Sequence, residues 1–171
     1  MDRSGDTGLA LFYLVRTGGN EMSQERPSWD EYFSQLARMV ASRSTCIRRK
    51  VGALLVKEER IVATGYNGAP QGIAHCLDVG CLREEKGIPS GYRYELCRGV
   101  HAEQNAIINA ARYGVSTIDS VLYCTHQPCM LCSRMLVNAG VIRVVHQGDF
   151  NDEFAIRILK EAGIEVTEIR V

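Results

Sequence analysis

The chain has no surplus of either charge and no long hydrophobic run. Its 20 basic residues are matched by 20 acidic ones, so the formal net charge is zero. Proteins that neutralise nucleic-acid phosphates carry a basic surplus or patch. The balance therefore speaks against DNA or RNA as a partner and leaves a single nucleotide admissible. Nor is there the pattern of interleaved aromatics that stacks the bases of a single strand. No apolar stretch approaches the roughly 18 residues of a membrane span. Leu9 to Val15 is the longest apolar stretch near the start, yet it lacks the flanks of a signal peptide. Only Arg3 precedes it, Asp2 and Asp6 sit beside it, and no small-x-small cleavage site follows. A cytoplasmic location is expected. Internal repeats and low-complexity tracts are also lacking.

What is plentiful is cysteine. There are seven among 171 residues, an odd number. In a reducing compartment metal binding or reactivity explains them better than disulfides do. The remaining composition, 46% hydrophobic and 23% charged, is that of a soluble domain large enough to bury a sizeable core.

Residues 1–26 read as a disordered extension, rich in Gly, Ser, Thr and Asp, with Leu9 to Val15 the one segment suited to packing on a body. Residues 27–171 read as one domain. Ser28 and Glu31 form a capping box, and Trp29, Tyr32, Phe33, Leu36, Ala37 and Val40 follow at helical spacing, predicting a helix over 29–43. Two β-rich runs, 51–56 and 61–66, flank the polar Lys57–Arg60 turn as a hairpin. From residue 101 helix and strand alternate: helices over 102–113, 129–139 and 152–162, strands over 120–125, 141–146 and 164–170. Gly114, Gly140 and Gly163 end the helices. An initial hairpin followed by such alternation predicts a mixed sheet with helices on both faces. Residues 71–100 have no period, and so long an irregular segment inside a compact domain calls for something functional to order it.

Two short motifs carry the chemistry. His101-Ala102-Glu103 and Pro128-Cys129-Met130-Leu131-Cys132 together form the His-x-Glu, Pro-Cys-x-x-Cys signature of zinc-dependent nucleobase deaminases. One imidazole and two thiolates are three ligands, leaving a place for water, whereas a structural zinc site closes with four. Both halves fall at predicted helix N-termini, whose partial positive charge favours the thiolates of Cys129 and Cys132. Glu103 follows the ligand His101 at the distance where a carboxylate can move protons to and from an activated water. A zinc knuckle would leave Glu103 without a role, and a thioredoxin-like redox site would leave both His101 and Glu103 unexplained.

Of the other cysteines, Cys124 lies within a predicted strand and reads as a small buried hydrophobe. Cys46, Cys76, Cys81 and Cys97 either close a second, structural zinc site, with His75 able to replace one of them, or are scattered free thiols.

These motifs, with Cys46-Ile47-Arg48, Val51-Gly52-Ala53, Gly65-Tyr66-Asn67-Gly68 and His101 to Ala106, resemble the deoxycytidylate (dCMP) deaminase family of the cytidine-deaminase-like superfamily over residues 28–170. The bacterial members encoded in late-competence operons are the most similar in appearance. The resemblance implies a three-layer α/β/α fold around a five-stranded mixed sheet and conversion of dCMP to dUMP, feeding thymidylate synthesis. It further implies a homo-oligomer, from dimer to hexamer, with dCTP and dTTP as effectors and Mg2+ accompanying the triphosphate. Some members carry a second zinc, whose pattern Cys46 and Cys76 match well and Cys81 and Cys97 less so. Asn67 falls in the nucleotide-contacting loop, or is a turn residue tolerating positive φ. Arg48 would meet the phosphate, or belong to a solvated basic run with Arg49 and Lys50. Arg112 stands where the family has regulatory or subunit contacts, or is a plain exposed helix residue. The N-terminal extension matches no family motif. The rival readings are another cytidine, guanine or tRNA-adenosine deaminase of the superfamily, and an accessory protein of DNA uptake.

Overall fold

The computed structural model describes residues 26–148 and 151–170. The predicted extension lies outside these residues but for Arg26, whose guanidinium sits 5.5 Å from the Trp29 ring centroid; the packing of Leu9 to Val15 lies wholly outside them.

The chain runs α1 (Trp29–Ala41), β1 (Gly52–Lys57), β2 (Arg60–Tyr66), α2 (Cys76–Val79), α3 (Leu82–Glu85), α4 (Ala102–Arg112), β3 (Val121–Cys124), α5 (Met130–Asn138), β4 (Arg143–His146), α6 (Glu153–Glu161) and β5 (Glu165–Glu168). The strands form one mixed sheet of five in the order β2-β1-β3-β4-β5. β1 is antiparallel to both β2 and β3, while β3, β4 and β5 are parallel.

Alternation along the strands makes the three layers. Leu54, Val56, Tyr123 and Val145 face Phe33 and Ala37 of α1. Ala53, Leu55, Leu122, Cys124 and Val144 face the other way, against Ala102, Ala106 and Ala110 of α4, Leu136 of α5 and Leu159 of α6. Side chains of period two in strands and of helical period in helices can satisfy both faces only in this arrangement. The Ser28–Glu31 capping box is formed, with Ser28 N–H donating to Glu31 at 2.8 Å and Glu31 N–H donating to Ser28 Oγ at 3.2 Å. Gly114, Gly140 and Gly163 all take positive φ beyond their helices, as a left-handed C-terminal stop requires. The hairpin turn has both Glu58 and Glu59 at positive φ; the right-handed twist of the paired strands imposes this on residues that do not favour it.

α1 is tied to the sheet by a polar clasp. Arg143 donates to both carboxylate oxygens of Asp30, at 2.9 and 2.8 Å, and the Tyr123 hydroxyl donates to the same carboxylate at 2.8 Å. Burial opposes ionisation of Asp30, but the hydrogen bonds from Arg143 and Tyr123 outweigh it and lower its pKa.

α4 is seated on the sheet by small residues. A Cβ on Gly65 of β2 would overlap the Ala102 carbonyl oxygen and the Ala106 nitrogen of α4. Both obstacles are helix backbone, so relief means moving the helix that begins at His101. Gly65→Ala is expected to lower stability by about 1–3 kcal/mol, the usual range for overpacking. Thermal melting checks this, and an unchanged melting temperature would mean that α4 slides without cost.

Most element ends fall within one or two residues of the sequence expectation, and two departures have a visible cause. β4 begins at Arg143, two residues later than the apolar run, because Val141 and Ile142 close the turn from α5: Val141 N–H donates to Leu136 O and Ile142 N–H to Ser120 O. Residues 71–100 are not wholly irregular. They hold α2, α3 and a 3-10 turn at Tyr94–Leu96, each too short to leave a period in sequence. Among the described residues no helix is long and apolar enough to cross a membrane, and none of the seven cysteines is in a disulfide.

Candidate metal centre and active site

Two helix N-termini converge beyond the carboxyl ends of the parallel strands, where open α/β sheets place their ligands. His101 is the N-cap of α4. Cys129 is the N-cap of α5 and Cys132 lies in its first turn, so the two thiols straddle the helix start, Cys129 one position outside the observed helix although the sequence predicted it as the first helical residue. The capping site of α6 braces this point. Asp152 accepts from Met130 N–H at 3.1 Å and from Ala155 N–H at 3.0 Å, joining the starts of α5 and α6 through one carboxylate.

Nδ1 of His101 lies 3.5 Å from Cys129 Sγ and 3.4 Å from Cys132 Sγ, and the three ligand atoms fall within 4.8 Å of one another. A tetrahedral zinc with ordinary Zn–N and Zn–S bonds sets nitrogen and sulfur about 3.5 Å apart. Spacing and donor chemistry therefore both fit zinc. Protons otherwise occupy this space. Hydrogen bonding to Cys132 and then to His101 holds Cys129 down at about 4 against its burial. The same Cys129–Cys132 contact, with burial, pushes Cys132 up. Burial favours neutral His101, but Cys129 and the charge of Glu103 outweigh it and raise its pKa. Zinc takes neutral imidazole and thiolates, so its binding replaces these protons.

Glu103 stands one residue inside α4 and is 4% exposed. Burial raises its carboxyl pKa, and the neighbouring His101 only partly offsets this. It lines one cavity together with His101, Cys129, Asn67, Arg48 and Arg83. Cys124, also buried, is no ligand: burial drives its thiol well up, and it packs in the core beneath α4 and α5.

Cys46, Cys76, Cys81 and Cys97 border the same cavity. They gather around Cys76, whose thiol is raised by burial and then by Cys46, Cys81 and Cys97. Among the described residues, though, only His101, Cys129 and Cys132 meet closely enough to form a candidate metal group. His75 is exposed at the N-cap of α2, with its N–H donating to Asp78, and is not part of the cavity wall. Asn67 does not take positive φ. Its side chain braces the wall: Oδ1 accepts from Ser44 Oγ at 2.6 Å and Val51 N–H at 2.8 Å, and Nδ2 donates to Arg49 O at 2.8 Å. Arg48 keeps a buried Nη1 without a partner. Arg112 lies exposed on α4, donating to Gln71 at 3.1 Å.

Three residues near the site were not singled out as site residues in the sequence. Tyr94 packs edge-on against His101, ring centroids 4.8 Å apart. Arg83 lies over Tyr94, its Cζ 5.1 Å from the ring centroid. Asp152 was read only as the first residue of the predicted 152–162 helix, and it is the N-cap of α6.

Residues 27–147 match the family model for the cytidine and deoxycytidylate deaminase zinc-binding region. The chain is 42% identical over 144 residues to a deoxycytidylate deaminase of Saccharomyces cerevisiae, covering 84% of this chain and 45% of that protein. It is thus similar to a protein of which it spans less than half. It is 36% identical over 148 residues to ComE operon protein 2 of Bacillus subtilis, covering 86% and 74%. Among solved structures it resembles the dCMP deaminase of cyanophage S-TIM5 in complex with dCMP and dUMP, with TM-score 0.71, 34% identity, and 85% and 99% coverage. The matched span runs from the start of α1 through β4 and contains the zinc-competent His101, Cys129 and Cys132 as well as Glu103, so the chain belongs to the cytidine and deoxycytidylate deaminase zinc-binding family.

Proposed function

We propose that this chain catalyses hydrolytic deamination of dCMP to dUMP and ammonia. The observation that carries the reading is a buried carboxylate, Glu103, beside a zinc-competent trio in a cavity that also holds unpaired arginine N–H groups. The names of the yeast and phage relatives support dCMP as the substrate.

His101, Cys129 and Cys132 would hold the zinc. Bound there, zinc supplies a Lewis acid that brings the pKa of a coordinated water toward neutrality. Glu103 takes a proton from the attacking water and passes it to the pyrimidine ring nitrogen. It then carries the proton of the added hydroxyl to the amino group, and the carbon–nitrogen bond breaks as that oxygen becomes the new carbonyl, releasing ammonia. The raised pKa of Glu103 suits a group that must both accept and give back a proton near neutral pH. Arg48 meets the phosphate, and Asn67 holds the 44–51 segment in place while its second Nδ2 hydrogen is available to the nucleotide. Cys46, Cys76, Cys81 and Cys97, gathered around one buried thiol, would take a second, structural zinc.

We read the protein as a cytoplasmic homo-oligomer. Large apolar side chains exposed on the helical face, among them Ile108, Tyr113 and Phe154, support the association. Control by dCTP and dTTP with Mg2+ rests on the family resemblance alone.

The test is ammonia release from dCMP, CMP, deoxycytidine and an adenosine-bearing tRNA anticodon stem, with zinc counted on the same sample. Turnover of dCMP ahead of the others is expected, with about two zincs per chain. Arg48→Ala should cost dCMP about tenfold or more, the worth of a charged hydrogen bond. Turnover of the RNA, or of none of the four, would remove the nucleotide reading, and an Arg48→Ala enzyme as active as wild type on dCMP would remove the phosphate role.

A further inference from the structure

Residues 71–100 supply more than cysteines to the cavity. Arg83 of α3 lines it and is 7% exposed, among the few charged residues this deeply buried. A guanidinium has five N–H donors. Here Nη2 donates to Pro89 O at 3.2 Å, Nε is buried without a partner, and no ion pair among the described residues includes Arg83. Its charge is felt by Glu95, which pairs with Arg93, but a buried guanidinium with an unpartnered N–H is costly, and arginine cannot escape the cost by losing its proton. Such a residue is retained where an anion arrives to complete it.

The position says which anion. Arg83 lies on the face of Tyr94, and Tyr94 meets His101 edge-on. The guanidinium is therefore one aromatic ring away from the ligand that marks the reacting end of the substrate. A nucleotide carries its only anionic group at the end opposite its base. Arg48, with its own unpartnered Nη1, comes to the same cavity from the segment before β1. Two arginines from separate parts of the chain thus line one cavity, and guanidinium groups are suited to phosphate oxygens.

We infer that Arg83 is a specificity-determining residue that binds the substrate's 5′-phosphate, held in place by Tyr94, and that it discriminates nucleotide from nucleoside. The inference rests on the nucleotide-deaminase reading above and adds to it a residue of the 71–100 segment. The structural alternative is that Arg83 serves only to order residues 83–90 through the Pro89 carbonyl.

Arg83→Met keeps the length and apolar stem while removing the charge, and Arg83→Lys keeps the charge without the fork. On the full-length zinc-loaded enzyme, kcat and KM are measured for dCMP and deoxycytidine. In Arg83→Met the ratio of kcat/KM for dCMP over deoxycytidine is expected to fall about tenfold or more, mainly through the KM for dCMP, with Arg83→Lys intermediate. Equal losses on both substrates, or no loss on dCMP, would overturn the assignment, because a purely structural residue moves both together. Calorimetric binding of dUMP and deoxyuridine separates this from the reaction itself. If the wild type deaminates nothing yet binds dUMP more tightly than deoxyuridine, and Arg83→Met erases that preference, Arg83 stands and the deaminase reading falls. If the wild type shows no preference for the phosphate in either measurement, both fall.

Discussion

Glu103→Gln is expected to keep its zinc and lose turnover by about two to four orders of magnitude, the usual contribution of a positioned proton carrier. Gln matches the shape of Glu and can still donate and accept hydrogen bonds, but it cannot take a proton from water and return it. The side chain is 4% exposed, so no bulk water stands ready to substitute. The same change separates function from stability. Burial raises the pKa of Glu103, so the fold favours its protonated form. The stability it contributes is full below the unfolded-state pKa and is lost as pH rises through the folded-state value. In the metal-free protein burial thus makes an uncharged group at this position less costly than an ionised one. Metal-free Glu103→Gln should melt no lower than metal-free wild type, even as its zinc-loaded form is nearly inactive. Ammonia release, zinc content and thermal melting on one preparation decide the matter. Retained turnover would remove Glu103 from the mechanism, and loss of zinc together with turnover would make it a ligand or a support for one.

The zinc-competent residues were legible because their chemistry is local in sequence. Cys129 and Cys132 are spaced by a helical turn, Glu103 stands two residues after His101, and each pair is set at a helix start that its own neighbours announce. The layers were legible for a similar reason, since Leu54 and Leu55 already declare opposite faces by adjacency. What sequence withheld depends on long-range pairing. Asp30 finds Arg143 across the sheet, and nothing beside either residue names the other. Arg83 and Tyr94 sit in elements of three or four residues, too short for periodicity, and only folding shows that one lies over the other beside His101. Asn67 was open between a turn role and a nucleotide contact; its backbone does not take positive φ, and its side chain bonds Ser44, Arg49 and Val51, contacts between distant segments that no local pattern announces.

Replacing one zinc ligand should have an effect as large as removing Glu103, but with a different signature. Cys132→Ala leaves His101 and Cys129 as a two-ligand remnant, too few for the tetrahedral sites that hold zinc. Turnover should fall to background, and the zinc count should drop by one per chain. The fold should survive. Cys132 is fully buried, and losing one sulfur there costs about 1 kcal/mol or somewhat more. Cys124→Ala is the matched control: it is equally buried in the core below, loses a similar volume, and should keep its zinc and most of its activity. Cys76→Ala completes the set, because it touches the other group of thiols. If that group holds a structural zinc, Cys76→Ala and Cys132→Ala each lose one metal, and only Cys132→Ala loses it from the site where Glu103 works. Metal analysis of the three variants beside wild type reads this directly. A Cys132→Ala protein with full zinc and full turnover would mean that His101, Cys129 and Cys132 meet for a reason other than zinc, while a Cys76→Ala protein with unchanged metal would return its four cysteines to the status of free thiols.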